Sequence, residues 1–252
     1  MINRLSIKKI NELLRNTPEI FFVDEIRLDY IEFLEFGIFL YESDNISAEN
    51  YYFKNNIDKW GANWILENYG VEQDGNFGLT NLIYKVTKDE KKAIDIYFRI
   101  YDDFYKQKYD LKLIKKEMDE LNLRITQLNP DMKLVDTSNV EKLINRIRQR
   151  PGAFVYKIRL DYIYYLIKGY LFCSANNKPI NEIDEYFEKN FNKWVAEKLK
   201  FHCKIEKADY KGFYKSIYRF TDNDEKKSVE LFFKFSEEFF SVFTSFNQNC
   251  DF

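Results

Sequence analysis

The hexapeptide Ile26-Arg27-Leu28-Asp29-Tyr30-Ile31 recurs unchanged as Ile158-Arg159-Leu160-Asp161-Tyr162-Ile163, 132 residues further on. Reading on, Gly37 meets Gly169 at the same offset. Trp60 in KNNIDKW meets Trp194 in KNFNKW at 134, and Ile83-Tyr84-Lys85 meets Ile217-Tyr218-Arg219, also at 134. Asp89-Glu90-Lys91-Lys92 then meets Asp224-Glu225-Lys226-Lys227 at 135. Ordered matches with a slowly drifting offset are what duplication followed by small loop insertions leaves behind. The chain is therefore expected to hold two tandem homologous units, residues 1–108 and 138–252, with residues 109–137 between them.

Each unit reads as helical. A short helix from Ser6 to Arg15, or Ser138 to Arg148, ends before Pro18 or Pro151. A second runs from Glu25 to Tyr41 and from Lys157 to Cys173. Its buried stripe is expected to be Leu28, Ile31, Leu34 and Ile38, matched by Leu160, Ile163, Ile167 and Leu171. A third spans Ser47–Asn68 and Asn181–Phe201, each with its tryptophan expected in the core. Segments 81–86 and 210–220 are too short for periodicity to separate helix from strand. The last helix begins near Thr87 or Thr221, read as N-caps ahead of an acidic first turn. Between the units, Leu111, Ile114, Met118, Leu121 and Ile125 recur at spacings of three and four, so a helical connector is expected. The fold class is mainly α.

Composition excludes several alternatives. With 45% hydrophobic and 18% aromatic residues but only 8 Gly and 4 Pro in 252, the chain is neither disordered nor collagen-like. No run reaches the ~18–20 apolar residues of a membrane span, and MINRLSIKKINELL lacks an apolar leader core, so a cytoplasmic protein is expected. Three cysteines, Cys173, Cys203 and Cys250, show no ligand spacing, so reduced thiols are expected and neither a disulfide framework nor a metal site.

Motifs for catalysis are weak. His202 is the only histidine, beside Cys203, and no Ser-centred elbow, phosphate loop or HExxH accompanies it. The carboxylate pairs Asp102-Asp103 and Glu237-Glu238 are adjacent on helices and point apart, which suits solvated faces better than a shared proton. Arg150-Pro151-Gly152 reads as a type II turn, with Gly152 supplying a positive φ. No enzyme, cofactor or metal is expected.

The second unit, taken as an ordered set, resembles a bacterial family. Arg150-Pro151-Gly152, an aromatic segment, Lys168-Gly169-Tyr170, Phe191-x-x-Trp194, and Asp224-Glu225-Lys226-Lys227 opening an aromatic helix are similar to immunity-type proteins associated with polymorphic or contact-delivered toxins. Ala153-Phe154 stands where that family usually has Met-Tyr, and this chain carries two copies. The resemblance implies a protein that binds a cognate toxin domain and blocks its active site. Charge adds independent content. Residues 1–110 carry 14 Lys and Arg against 20 Asp and Glu, while residues 138–252 carry 20 against 16. An acidic half suits a basic partner such as a nuclease. The candidate partner-binding residues are Asp24, Glu25, Glu32, Glu35, Glu42, Asp44 and Glu49. Asp29, repeated as Asp161, is better read as part of a structural bond. The alternatives are a nucleic-acid-binding module using the Lys- and Tyr-rich segment 198–218, weighed against a pI near 5.7, and another protein-binding adaptor.

Overall fold

A computed structural model describes residues 7–23, 25–41, 48–73, 78–107, 112, 114–116, 119–120, 138–176, 179, 181–203 and 212–248. Among these the chain is mainly helical, without a strand. Ten α-helices follow in order: α1 Ile7–Asn16, α2 Leu28–Tyr41, α3 Ala48–Tyr69, α4 Leu79–Val86, α5 Glu90–Tyr105, α6 Val140–Gln149, α7 Leu160–Asn176, α8 Glu182–Cys203, α9 Phe213–Phe220 and α10 Glu225–Gln248. Short 3-10 turns, Pro18–Ile20 and Pro151–Ala153, follow α1 and α6. The order from α1 to α5 thus recurs from α6 to α10. By compactness the described residues fall into two units: Arg4–Glu32 with Glu42–Val135, and Phe33–Tyr41 with Asp136–Phe252.

The outer helices follow amphipathic logic. Val140, Leu143, Ile144 and Ile147 form the buried stripe of α6, as Ile7, Ile10, Asn11 and Leu14 do on α1. Helices α2 and α7 differ. Besides the eight expected stripe residues, Phe33 and Phe39 on α2 and Tyr164, Tyr165 and Leu166 on α7 are buried, so burial runs round most of each helix. The single-stripe expectation fails because α7 is flanked by α6, α8, α9 and α10 and is not laid over one surface.

A further contact completes the enclosure of α7. A Cβ on Gly169 would lie 1.9 Å from the Leu34 carbonyl oxygen, and a Cβ on Gly37 would lie 1.9 Å from the Leu166 carbonyl oxygen. Leu34 and Leu166 are themselves 132 residues apart, so the crossing is reciprocal. Glycine lets the two backbones approach to a distance any side chain would prevent. Around it, Phe33 stacks on Tyr162 at 4.3 Å and Tyr41 meets Tyr170 edge-on at 5.2 Å.

The repeated hexapeptide is a clamp at the start of each of these helices. Arg27 binds Asp29 through Nε and Nη2 at 3.0 and 2.7 Å, and its guanidinium lies over the Tyr30 ring. Arg159 binds Asp161 and covers Tyr162 in the same manner. The Asp-Glu-Lys-Lys motif completes the start. Glu90 Oε1 accepts from the Leu28 amide at 2.5 Å and from the Tyr84 hydroxyl at 2.8 Å. Glu225 Oε1 accepts from the Leu160 amide at 2.7 Å and from the Tyr218 hydroxyl at 2.6 Å. A carboxylate from the final helix thereby satisfies an amide at a helix N-terminus that has no partner within its own helix.

Several local expectations need correction. Asp89 and Asp224 are the N-caps of α5 and α10, accepting from Lys92 N and Lys227 N. Thr87 and Thr221 instead close α4 and α9, because the chain there is still leaving the preceding helix. Asp222 and Asn223 hold φ of 54° and 61°, the left-handed turn that short polar residues tolerate, in a loop one residue longer than that before Asp89. Asn139, not Ser138, caps α6. Pro151-Gly152-Ala153 is a 3-10 turn in which Gly152 has no positive φ, so the type II reading is set aside. Residues 81–86 fall within α4 and residues 213–220 form α9, while 210 and 211 lie outside the described residues.

Trp60 and Trp194 are half-buried, each edge-on to an aromatic ring of the final helix, Phe104 at 5.8 Å and Phe239 at 5.7 Å. In the connector, residues 112, 114–116 and 119–120 are helical and Ile114 is buried, while Leu111, Met118, Leu121 and Ile125 lie outside the described residues. Cys173 is buried and forms no disulfide among the described residues; the Cys203 side chain and Cys250 lie outside the described residues.

The crossing gives a direct test. Gly37→Ala and Gly169→Ala each force a backbone shift and are expected to destabilise by about 2–3 kcal/mol or more. Gly152→Ala, where a Cβ meets no atom within 4 Å, is expected to stay within about 0.5 kcal/mol of the parent. Urea midpoints of the three variants, with unchanged slope, check this; equal midpoints for all three contradict a close crossing.

Candidate functional site

The acidic residues singled out around α2 do not form one exposed face. Glu25 is exposed and lies 3.9 Å from Arg27. Glu35 is only 7% exposed. Glu32 is half-buried; it bonds Thr80, which is itself buried, while its Oε2 has no hydrogen-bond partner. Burial first, then the negative charges of Asp58 and Asp29, push the Glu32 carboxyl above its usual range. Both acids are drawn inward because α2 is enclosed, a consequence of tertiary packing that the single-helix reading did not include. Asp24, Glu42 and Asp44 lie outside the described residues, as does the side chain of Glu49 on α3.

The segment 198–218 is likewise drawn inward where it is described. Phe213 and Tyr214 are buried, and Tyr218 is engaged by Glu225. Lys198 pairs with Glu238 at 3.1 Å and sits over the Trp194 ring. These rings are part of the core and do not offer free faces to bases. His202 lies on α8 with its side chain outside the described residues.

The adjacent carboxylate pairs point apart, as expected, and remain solvent-exposed while each also binds another helix. Arg15 on α1 reaches Asp102 at 3.0 Å, and Arg148 on α6 reaches Glu237 at 3.0 Å. The neighbouring acids turn to the third helix: Asp103 accepts from Trp64 Nε1 at 2.9 Å, and Glu238 from Lys198. Beside the two arginine pairs lie grooves of equivalent position, about 370 Å³ between α1 and α5 and about 300 Å³ between α6 and α10. The side chains of these two pairs are all exposed, from 43% to 70%, so each pair contributes little to stability.

A third cavity, about 250 Å³, lies among α7, α8 and α9 and is more apolar in character. Phe187, Phe191 and Phe213 form its aromatic wall, with Phe187 stacked on Phe191 at 4.4 Å and Phe191 edge-on to Phe213 at 5.1 Å. Lys168 and Glu188 also line it. Lys168 Nζ lies 5.9 Å from the Tyr164 ring centroid, and burial pushes its ammonium down to about 8, opposed by the charge of Glu188. Burial raises the Glu188 carboxyl, opposed first by Lys168. The only sequence signal for this site is a lysine interrupting an apolar helix beside Gly169; its counterpart at the same offset is Phe36.

Among the described residues no group of three or more His, Cys, Asp or Glu could hold a metal ion, and no helix is long and apolar enough to cross a membrane. Comparison with family models, curated proteins and solved structures finds no match to this chain.

Glu32 supplies a pH test with a defined sign. Its carboxyl is raised in the fold, so stability is lost as pH rises from the ordinary carboxyl range, about 4.3, through the folded value. Glu32→Gln keeps a partner for Thr80 and removes the buried charge. The variant is expected to melt higher than the parent at pH 7, with the gain shrinking towards pH 4. A constant difference across that range contradicts a buried carboxyl at this position.

Proposed function

We propose that this chain is a tandem duplication of an immunity-type helical unit that acts in the cytoplasm by binding a cognate bacterial toxin domain and covering its active site, without chemistry of its own. The observation that carries the reading is what the family-like motifs do. Pro151 starts the 3-10 turn between two helices, Trp194 rests on the final helix, and Asp224-Glu225 caps that helix and ties it to α7. Pro18, Trp60 and Asp89-Glu90 do the same in the first copy. The ordered set is thus a scaffold signature present twice.

The charge contrast between the halves supports a basic partner for the first copy. With Glu32 and Glu35 drawn inward, the acidic contribution around α2 falls to Glu25 and to the flanking Asp24, Glu42, Asp44 and Glu49. The two grooves beside Arg15 and Arg148 add exposed polar rims of the kind that surrounds a protein interface.

Affinity capture of the tagged full-length chain from its native cells, in moderate salt with nuclease present, is expected to recover the C-terminal domain of a large secreted protein. An equimolar amount of the chain should abolish that domain's activity. Recovery of nucleic acid alone, before nuclease treatment, overturns the reading. Given a captured toxin, reversing charge at Glu25, Glu42 and Asp44 together is expected to slow association roughly tenfold at low salt and to flatten its salt dependence. An unchanged on-rate moves the interface away from α2.

A further inference from the structure

The cavity among α7, α8 and α9 brings two opposite charges to one apolar chamber. Lys168 extends from a helix that is otherwise buried, and Glu188 faces it from α8. Among the described residues neither closes an ion pair with the other. The ammonium lies 5.9 Å from the Tyr164 ring centroid, and Phe187, Phe191, Phe213, Leu171, Ile167 and the amide of Asn192 complete the walls. Lys168 is half-buried and makes no ion pair among the described residues, a costly position for an ammonium unless a ligand group meets it, while Glu188 is exposed along the same wall. The depressed ammonium is consistent with that cost.

The chemistry of the occupant follows from the pair. A simple apolar carboxylate would satisfy Lys168 and meet repulsion from Glu188; an apolar amine would do the reverse. A zwitterion with an apolar side chain satisfies both and lays its hydrocarbon on the phenylalanines. At about 250 Å³ the chamber is below the ~300–1,000 Å³ typical of drug-sized sites, which suits an occupant the size of one amino acid. We propose that this cavity binds a free α-amino acid with an apolar side chain, its carboxylate on Lys168, its ammonium facing Glu188 and its side chain against Phe187 and Phe191. The site is independent of toxin binding and has no equivalent charge pair in the first copy, where Phe36 stands at the position of Lys168.

Titration of the full-length chain at pH 7 with L-phenylalanine and L-leucine, followed by calorimetry and by NMR, tests the assignment. One of the two is expected to bind saturably at one site per chain. 3-Phenylpropionate, lacking the ammonium, and phenethylamine, lacking the carboxylate, should each bind roughly tenfold or more weakly. Lys168→Met and Glu188→Gln should each weaken amino-acid binding by a similar factor while retaining the parent's helical circular dichroism. Should Lys168→Met fail to fold, Glu188→Gln and the two truncated ligands still decide the matter. No saturable binding of either amino acid at millimolar concentration overturns the proposal. So does equal binding of the truncated ligands, or binding that Glu188→Gln leaves unchanged.

Discussion

The close crossing of α2 and α7 at Gly37 and Gly169 is the constraint on which much else rests. Two helix backbones at this separation exclude any side chain from the contact point, so the neighbouring residues must fill the space on either side. Phe33, Tyr162, Tyr41 and Tyr170 do so with rings in stacked and edge-on pairs. Each such pair contributes about 0.5–1.5 kcal/mol beyond its buried area. Leu28 and Leu160, which open the two helices, are fully buried, so water is kept from their amides. The Glu90 and Glu225 carboxylates supply that solvation from within the protein. The crossing and the carboxylate caps are thus two parts of one solution, since enclosing a helix creates the need for internal partners at its N-terminus.

The same logic explains which residues repeat. Arg27 and Arg159 each spend their bidentate geometry on an aspartate two residues away while covering an aromatic ring, a combination that lysine cannot reproduce. Asp58 and Asn192 show the opposite tolerance. Both accept from the first amide of the following short helix, Leu79 N and Phe213 N, because Gly78 and Gly212 at those N-caps have no side chain to offer. Any oxygen acceptor serves there, so an acid in one place and an amide in the other perform the same task. Identity is kept where geometry is two-sided and relaxed where a single acceptor suffices.

This distinction also marks how far the sequence could be read. The helical class, the recurring order of helices and the role of Asp29 and Asp161 were legible because period, spacing and exact recurrence are local properties. The caps were misread by one to three residues, since threonine and a following aspartate are both good N-cap residues and only the path of the preceding helix decides between them. Glu32 and Glu35 were misassigned to a surface for a deeper reason. An acidic residue on an apolar helix reads as solvent-facing under the assumption of one buried stripe, and that assumption fails once other helices enclose the element. The Lys168 cavity had almost no signal, because its walls come from three helices whose juxtaposition no single window contains.

The recurrence of one helix order in both halves gives a physical reason for the asymmetry between them. The positions that hold helix to helix are constrained in both copies, as the paired clamps, caps and arginine bridges show. Positions outside them can diverge in only one copy without loss of the fold. Phe36 against Lys168, and Lys54 against Glu188, are such sequence divergences, and in the second half they set two opposite charges on neighbouring helices. A change of that kind adds a desolvation cost to the second copy alone. A half-buried lysine confined to the second half is not required by the scaffold, because the first half keeps the same helix order with Phe36 in its place. The charge pair therefore belongs to what distinguishes the second copy in use and not to what holds it together.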